Sequence, residues 1–515
     1  MEKKQYWKLG IFGVIIALLS LVIGIGLWQD ANTCMGIRLL SEKECADLSC
    51  YQYVDLGQWL FHNSELAAID QESSTIYISQ PINKDTAFSE LKGSLDIRLP
   101  DYELFFAPDA AFYNLHEAIA SGHSFTLIAV SNEDTYMRYS VIFSTLPVLK
   151  MDGAVSGVND EGRDVYSGDL CLWTPNDPDT ERYSVKSSDA QWHARGQASL
   201  SNPKKSWKIT LKTKSGDNRD LAMLGLGEDD DWILNAMFRD NTKIREKLIM
   251  DTWNEMQENT TYQLRMSSGE YVEVVANGHY QGIYLLQRRV DMKYLNLDNQ
   301  TTSLFKGKGV FHASTPQDGY ELIHSPFEEE IAYKKMEPFL YLMHGPDAVG
   351  AGMVHLDNWI DVSLFIQFGI MIDNYRFNNI FYILKEDAAD SQLFLVPWDT
   401  DQSLGLYWRD GIGQTCEPDI AGKYNCDRIE KDNLLSIYPE LHTNISDRWH
   451  ALSVSIFEES AICGRAIDLY MQLEQSGALL RDQALWGIRF NGADTIQGLL
   501  GFLRDRIQWL NDYYS

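Results

Sequence analysis

Positive charge is scarce in this sequence: 44 Lys and Arg stand against 73 Asp and Glu, for a formal net charge of −29. That balance argues against nucleic acid as the main partner, because phosphate binding requires local cationic surface. An acidic surface instead keeps a secreted or surface protein soluble. Any polyphosphate site must then be a local exception, lined with Lys, Arg or a metal. Cysteine is also sparse, at seven residues, and no C-x-x-C pair or nearby histidine pattern indicates a structural metal site. No G-x-S-x-G occurs, and pairs such as His62 and Ser64 assemble no nucleophile motif. Internal repeats and low-complexity tracts are absent, which excludes solenoids and disordered scaffolds.

At 515 residues the chain is too long for one ordinary core, so two or more domains are expected. Its 45% hydrophobic, 23% charged and 12% aromatic content is that of a well-packed globular body. One long apolar run stands out, LGIFGVIIALLSLVIGIGLW from Leu9 to Trp28, 20 residues without a charge. At helical rise it spans a hydrocarbon core. Lys3, Lys4 and Lys8 precede it, which keeps the N-terminus cytoplasmic and sends the remainder across the membrane. The run exceeds a signal-peptide core, no small-x-small cleavage site follows, and Cys34 lacks a leucine three residues upstream. A retained single-pass anchor is expected, in preference to a cleaved signal, with the body extracytoplasmic. Cys34, Cys45 and Cys50 just beyond it, and Cys416 and Cys426 flanking a Gly/Pro/Asp loop, suit disulfides in an oxidising compartment. The odd count leaves a thiol, at Cys171 or Cys463.

The pattern divides the chain into an anchor (1–30), a β-rich accessory module (31–145), a strand-rich lobe with one helix (146–300) and a helical lobe (301–515). In the accessory module Thr75–Ser79, Ser124–Val130 and Tyr139–Phe143 read as strands. In the next segment Ser206–Lys212 alternates polar and apolar residues, as a half-buried strand does. Ile244, Leu248, Ile249 and Trp253 recur at helical spacing between Lys243 and Met256. Asn277-Gly278 between two apolar runs marks a hairpin. Near the C-terminus Leu499, Phe502, Leu503, Ile507 and Leu510 share one helical face.

Chemistry concentrates between Ile372 and Gly405, in IDNYRFNNIFYILKEDAADSQLFLVPWDTDQSLG. Asp373 and Asn378 form a D-x-x-x-x-N pair, the spacing at which a kinase catalytic loop places its base and a magnesium-binding amide. IFYILK (Ile380–Lys385) and QLFLV (Gln392–Val396) read as two strands joined by a polar turn. Reflection about Ala388 sets Asn378 opposite residue 398, so Asp399 returns beside Asn378. An amide and a carboxylate brought together form an oxygen site for Mg²⁺ or Mn²⁺, with Asp401, on the same face of an extended strand, as an auxiliary carboxylate.

PWDTDQSLG resembles the WDxDxxxG signature of the CotH kinases (spore-coat-protein-H-like), and DNYRFNN the loop before it. RGQASLSNPKKSWKITL (Arg195–Leu211), DWILNAMFRDNTKIRE (Asp231–Glu246) and NGHYQGIYLLQRRVD (Asn277–Asp291) resemble three further blocks of that family, in family order. The resemblance covers about residues 146–515. It implies an α+β, protein-kinase-like bilobal fold, with a β-rich first lobe and a helical second one. It also implies ATP, Mg²⁺ or Mn²⁺, and phosphoryl transfer to Ser or Thr of a protein, this chain included. Asp373 becomes the catalytic base, Asn378 and Asp399 the metal ligands, and Lys205 or Lys208 the phosphate-contacting lysine, Lys205 being the one that precedes Ser206 in the motif. Arg195 and Arg245 become candidates for phosphate contacts or for holding the lobes together. Trp398 packs beside the nucleotide or in the core. Two departures stand out: Arg288 occupies a family Glu position, and no G-x-G-x-x-G loop occurs, on which the family does not rely. The competing readings are a silent adhesion or coat-assembly module, and transfer of phosphate or AMP to a carbohydrate or small molecule.

Overall fold

The computed structural model describes residues 33–54, 68–91, 101–108, 114–175, 185–340, 354–386, 391–409, 412–415, 438–487 and 494–515. The expected span Leu9–Trp28 and the Cys416 and Cys426 pair lie outside them. Among the described residues no helix is long and apolar enough to cross a membrane.

Residues 33–144 build the first sheet, of eight strands. Its central pair, Phe125–Ser131 and Thr135–Ser144, runs antiparallel, and alternation turns Phe125, Leu127, Tyr139, Val141 and Phe143 onto one buried face. A short helix, Leu115–Ala120, covers that face with Leu115, Ala118 and Ile119. Cys34 is fully buried in the same core, and Cys34, Cys45 and Cys50 are all free thiols. The expected disulfide among them does not form; Cys34 serves as a small apolar side chain, its thiol pushed up to about 12 by burial.

The next segment closes on itself. Seven strands form a barrel: β1 (Val148–Val158), β2 (Asp164–Trp173), β3 (Val185–Arg195), β4 (Ser206–Leu211), β5 (Asp231–Asn235), β6 (Gly269–Ala276) and β7 (His279–Arg288). Closure is completed by parallel pairing of β1 with β6, Val148 opposite Glu273. The two-residue period sorts side chains cleanly. Ile209, Leu211, Trp232, Leu234, Tyr284 and Leu286 fill the interior, whereas Tyr271, Ile283 and Leu285 point outward into the core shared with the helical part. The β6–β7 hairpin turns at Asn277 and Gly278, both with positive φ (50° and 74°), as its sequence requires.

Helix α1 (Arg245–Gln257) packs Leu248, Ile249 and Trp253 into that shared core. Beyond the barrel helices dominate, but the expected hairpin is not the only sheet structure there. Strands β8 (Thr302–Gly307) and β9 (Tyr320–His324) join the expected hairpin, β10 (Ile380–Glu386) and β11 (Ser391–Pro397), in a sheet of order β9-β8-β10-β11. Helix α3 (Leu356–Gly369) packs on β11 and α6 (Ala478–Trp486) on β7 of the barrel; α2 (Glu329–Leu340), α4 (His442–Ser453), α5 (Glu459–Gln475) and α7 (Ile496–Tyr513) are the other long helices described in this part. On α7, Leu499, Phe502, Leu503, Ile507 and Leu510 are all buried.

The parts are fastened by polar as well as apolar contacts. Tyr77 of the first sheet stacks on Tyr280 of β7, with centroids 4.4 Å apart, and the Tyr280 N–H donates to Asp70 at 2.9 Å. Glu273, inaccessible to solvent on β6, accepts from Arg481 of α6 and from the Tyr280 hydroxyl.

Candidate active site

Between the barrel and the four-stranded sheet lies a cleft of about 1120 Å³. Its barrel wall follows from register. His193, Lys208, Ile233 and Gln287 stand in one row across β3, β4, β5 and β7, and Arg195 pairs with Ser206 in the next. Since Ile209 and Leu211 of β4 point inward, Ser206 and Lys208 must point out, toward the cleft. The opposite wall carries Lys306 of β8, Glu321 of β9, Phe381 of β10 and the segment Trp398–Gln402.

The hairpin delivers that last segment. Ile380 pairs with Pro397 and Glu386 with Ser391, so continuing the register sets Asp399 itself opposite Asn378. Past the hairpin a single side chain ties the two loops: Asn374, with no accessible surface, donates its amide to the carbonyls of Asn379 at 3.1 Å and Trp398 at 2.7 Å. Asp373 and Asp399 thereby enter one cleft. The Asp373 carboxylate accepts a hydrogen bond from Gln402, and burial together with the nearby Asp399 raises it above the usual carboxylate range. Asp399 has φ 56°, and its side chain and that of Asp401 are exposed to the cleft. A non-glycine residue in the left-handed region is costly, and such positions cluster at functional sites.

Glu246, in the first turn of α1, is a cleft residue to which the sequence reading gave no role. Burial and Asp399 push its carboxyl up to about 7, while Asn235, Gln287 and Arg195 act in the other direction. Arg195 approaches from β3. Burial lowers its guanidinium's pKa, partly offset by Asp399 and Glu246, and it lies over the Trp398 ring at 5.8 Å. Lys306 lies 5.6 Å from the same ring centroid, and Phe381 meets its edge at 5.3 Å. Trp398 thus forms part of the cleft wall and is not simply core. Lys208 lines the cleft, 30% exposed, in an ion pair with Asp231 at 3.0 Å.

Two candidate residues, Lys205 and Asn378, turn to backbone partners, and a third, Arg245, takes carboxylate partners, one of the two roles open to it. The Lys205 ammonium folds back onto the carbonyls of Leu200 and Asn202, at 2.5 and 2.6 Å, and is not among the cleft-lining residues. Standing at the strand's start, it satisfies the end of the preceding 3-10 turn. Asn378 turns its amide to the backbone, accepting from the Gly309 N–H at 2.6 Å and donating to the Asp373 carbonyl at 3.2 Å; its neighbour Asn379 lines the cleft instead. Arg245 reaches the cleft but is locked by Asp240 at 2.6 Å, Asp494 at 2.8 Å and the Leu404 carbonyl at 3.2 Å. It ties the start of α1 to Asp494 and to the Leu404 carbonyl, distant in sequence. The departing Arg288 pairs with buried Asp229 at 2.7 Å, away from the cleft.

A family model described as CotH kinase protein matches residues 193–510, well over half of the chain. The chain belongs to the CotH kinase family. No curated protein matches it. Membership makes this CotH-family chain a kinase-like protein of a spore-coat-associated class, for which ATP and a divalent metal are the general cofactors. The match begins inside β3, so the first sheet and the β1–β2 hairpin lie outside it.

The donor chemistry of the cleft fits such a metal. Asp373, Asp399, Asp401, Asn379 and Gln402 offer oxygen ligands, the hard donors that magnesium and manganese prefer. These carboxylates are not drawn into one tight cage: among the described residues the only acidic trio with ligand atoms within 4.8 Å is Asp220, Asp229 and Asp230. Two of that trio are already ion-paired, Asp229 with Arg288 and Asp220 with Lys293. A looser site is in keeping with magnesium, which binds through one or two carboxylates and completes its shell with water and phosphate.

Proposed function

We propose that this chain transfers the terminal phosphoryl group of ATP to Ser or Thr hydroxyls of a protein outside the cytoplasm, with Mg²⁺ or Mn²⁺ as the metal and the Leu9–Trp28 segment as its membrane anchor. One observation carries the reading. In a protein of net charge −29 the described residues lining the cleft include nine Lys and Arg against seven Asp and Glu. An anion-receptive cleft in so acidic a chain is the local exception that a polyphosphate requires, and it contains the two carboxylates the motif singles out.

Roles follow from position. Asp373, raised by burial, accepts the hydroxyl proton of the acceptor as it attacks the phosphorus. Gln402 holds the Asp373 carboxylate in one orientation. Asp399, with Asp401 beside it, would hold the metal, which when bound neutralises charge on the phosphates. Arg195 and Lys208 face the phosphates from the barrel wall, and Trp398 with Phe381 gives an apolar surface beside them.

The test is transfer from labelled ATP, with the acceptor site mapped by mass spectrometry, which also separates phosphate from AMP and protein from carbohydrate. Asp373→Asn and Asp399→Ala should each abolish transfer while leaving the fold intact. Continued transfer by both variants would refute the assignment, and a wild type unshifted in melting temperature by Mg²⁺–ATP or Mn²⁺–ATP would favour a silent module.

A further inference from the structure

Arg195 owes its aim to a residue that lies outside the family match and outside every motif. The β2–β3 pairing runs only to Val165 opposite His193, so the backbone on either side of Arg195 has lost its neighbour on that edge. Arg163, at the tip of the β1–β2 hairpin, takes the neighbour's place. Its Nη1 donates to the Ala194 carbonyl at 3.1 Å and its Nη2 to the Gly196 carbonyl at 2.8 Å, so both carbonyls flanking Arg195 are clamped by one guanidinium.

The clamp is itself prebuilt. Asn159 Oδ1 accepts from the backbone N–H groups of Glu161 and Arg163, at 3.1 and 2.9 Å, and Gly162 turns with φ 75°. Glu161 pairs with the Arg163 guanidinium at 2.9 Å. On the receiving side Gly196 has φ 107°, and a Cβ there would lie 1.9 Å from the Ser199 hydroxyl, so only glycine accepts this turn. Arg195 itself has Asp399, Glu246 and the Trp398 ring as favourable neighbours, with Arg289 and Arg163 as like charges nearby.

We infer that Arg163 is a positioning residue for nucleotide binding: it fixes the Arg195–Gly196 backbone so that the Arg195 guanidinium meets the phosphates. The inference rests on the phosphotransferase reading for its consequence, but not for the loop order it asserts. A charge-assisted donor to two carbonyls is a strong tie, and its loss should raise the KM for ATP roughly tenfold in Arg163→Ala, with kcat changed far less. Arg163→Lys, keeping the charge but not the two-pronged geometry, should recover part of that loss. The deciding comparison is a double-mutant cycle. In an Arg195→Ala background Arg163→Ala should have no further effect on KM if Arg163 acts by positioning, because the guanidinium it aims is gone. A full additional tenfold rise there, or an unchanged KM in the single variant, would overturn the inference. Amide hydrogen exchange gives an arm independent of activity: Arg163→Ala should speed exchange across residues 194–201 with the barrel core unchanged. Unaltered exchange there sinks the clamp even if the wild type proves inactive, whereas faster exchange in an inactive wild type keeps the clamp and removes the kinase reading.

Discussion

Asn374 is the position at which one buried amide decides whether two loops form one site. It donates to the carbonyl of Asn379, the cleft amide, and to that of Trp398, the residue before the cleft carboxylate Asp399. Replacing it by Ala leaves both carbonyls without that donor; at about 1–2 kcal/mol for each, the loss of stability is about 2–4 kcal/mol. Replacement by Asp is the sharper test, since the side chain is nearly isosteric. A buried carboxylate would face two carbonyl oxygens, repelled by both, so Asn374→Asp should be at least as destabilised as Asn374→Ala. Function should suffer further. A misplacement of the order of 1 Å between a base and the groups that hold the phosphates costs about 10²-fold in rate, and this staple sets that spacing. Urea unfolding gives the first quantity and turnover of labelled ATP, well below the unfolding midpoint, gives the second. An Asn374→Asp variant with wild-type turnover and stability within about 0.5 kcal/mol would refute the reasoning and show that the loops are joined by other contacts.

Two further outcomes follow from buried charge. Arg481→Ala strands the Glu273 carboxylate, which has no accessible surface, and should cost about 3–5 kcal/mol in urea unfolding; a loss under about 1 kcal/mol would mean that water reaches Glu273. Glu246, pushed up to about 7 from 4.5, binds its proton more tightly in the folded state, so its contribution to stability is fully present below pH 4.5 and is lost as the pH rises through 7. In EDTA, Glu246→Gln should therefore match the wild type at pH 4 and exceed it at pH 8, by on the order of 3 kcal/mol. A gain that is the same at both pH values would remove ionisation as the cause.

Local pattern carried much of this architecture. The Asn277-Gly278 turn, the α1 stripe and the α7 face could be read because each depends on residues a few positions apart. Reflection about Ala388 came within a residue of the observed hairpin because a tight antiparallel pair leaves little freedom. What escaped was non-local. Barrel closure depends on β1 meeting β6 more than a hundred residues later, and β8 and β9 are recognisable as strands only once β10 exists to pair with them. The candidate site depends on contacts at the same level. Motif spacing names Asn378 and not its neighbour Asn379, and it leaves Lys205 and Lys208 both open, with Lys205 preferred for preceding Ser206. Which member of each pair faces the cleft depends on the positive φ at Asn379 (47°) and on the inward packing of Ile209, and neither is written in the motif. Glu246 was in view within a matched block, but nothing local signals that Asp399 lies beside it.

Strand β7 links two places with different business. Its His279 end is gripped by Asp70 and Tyr77 of the first sheet, while Gln287 near its other end borders the cleft. Eight residues of extended backbone separate them by roughly 25 Å. The strand is thus a stiff spacer that holds the first sheet's grip at a set distance from the cleft.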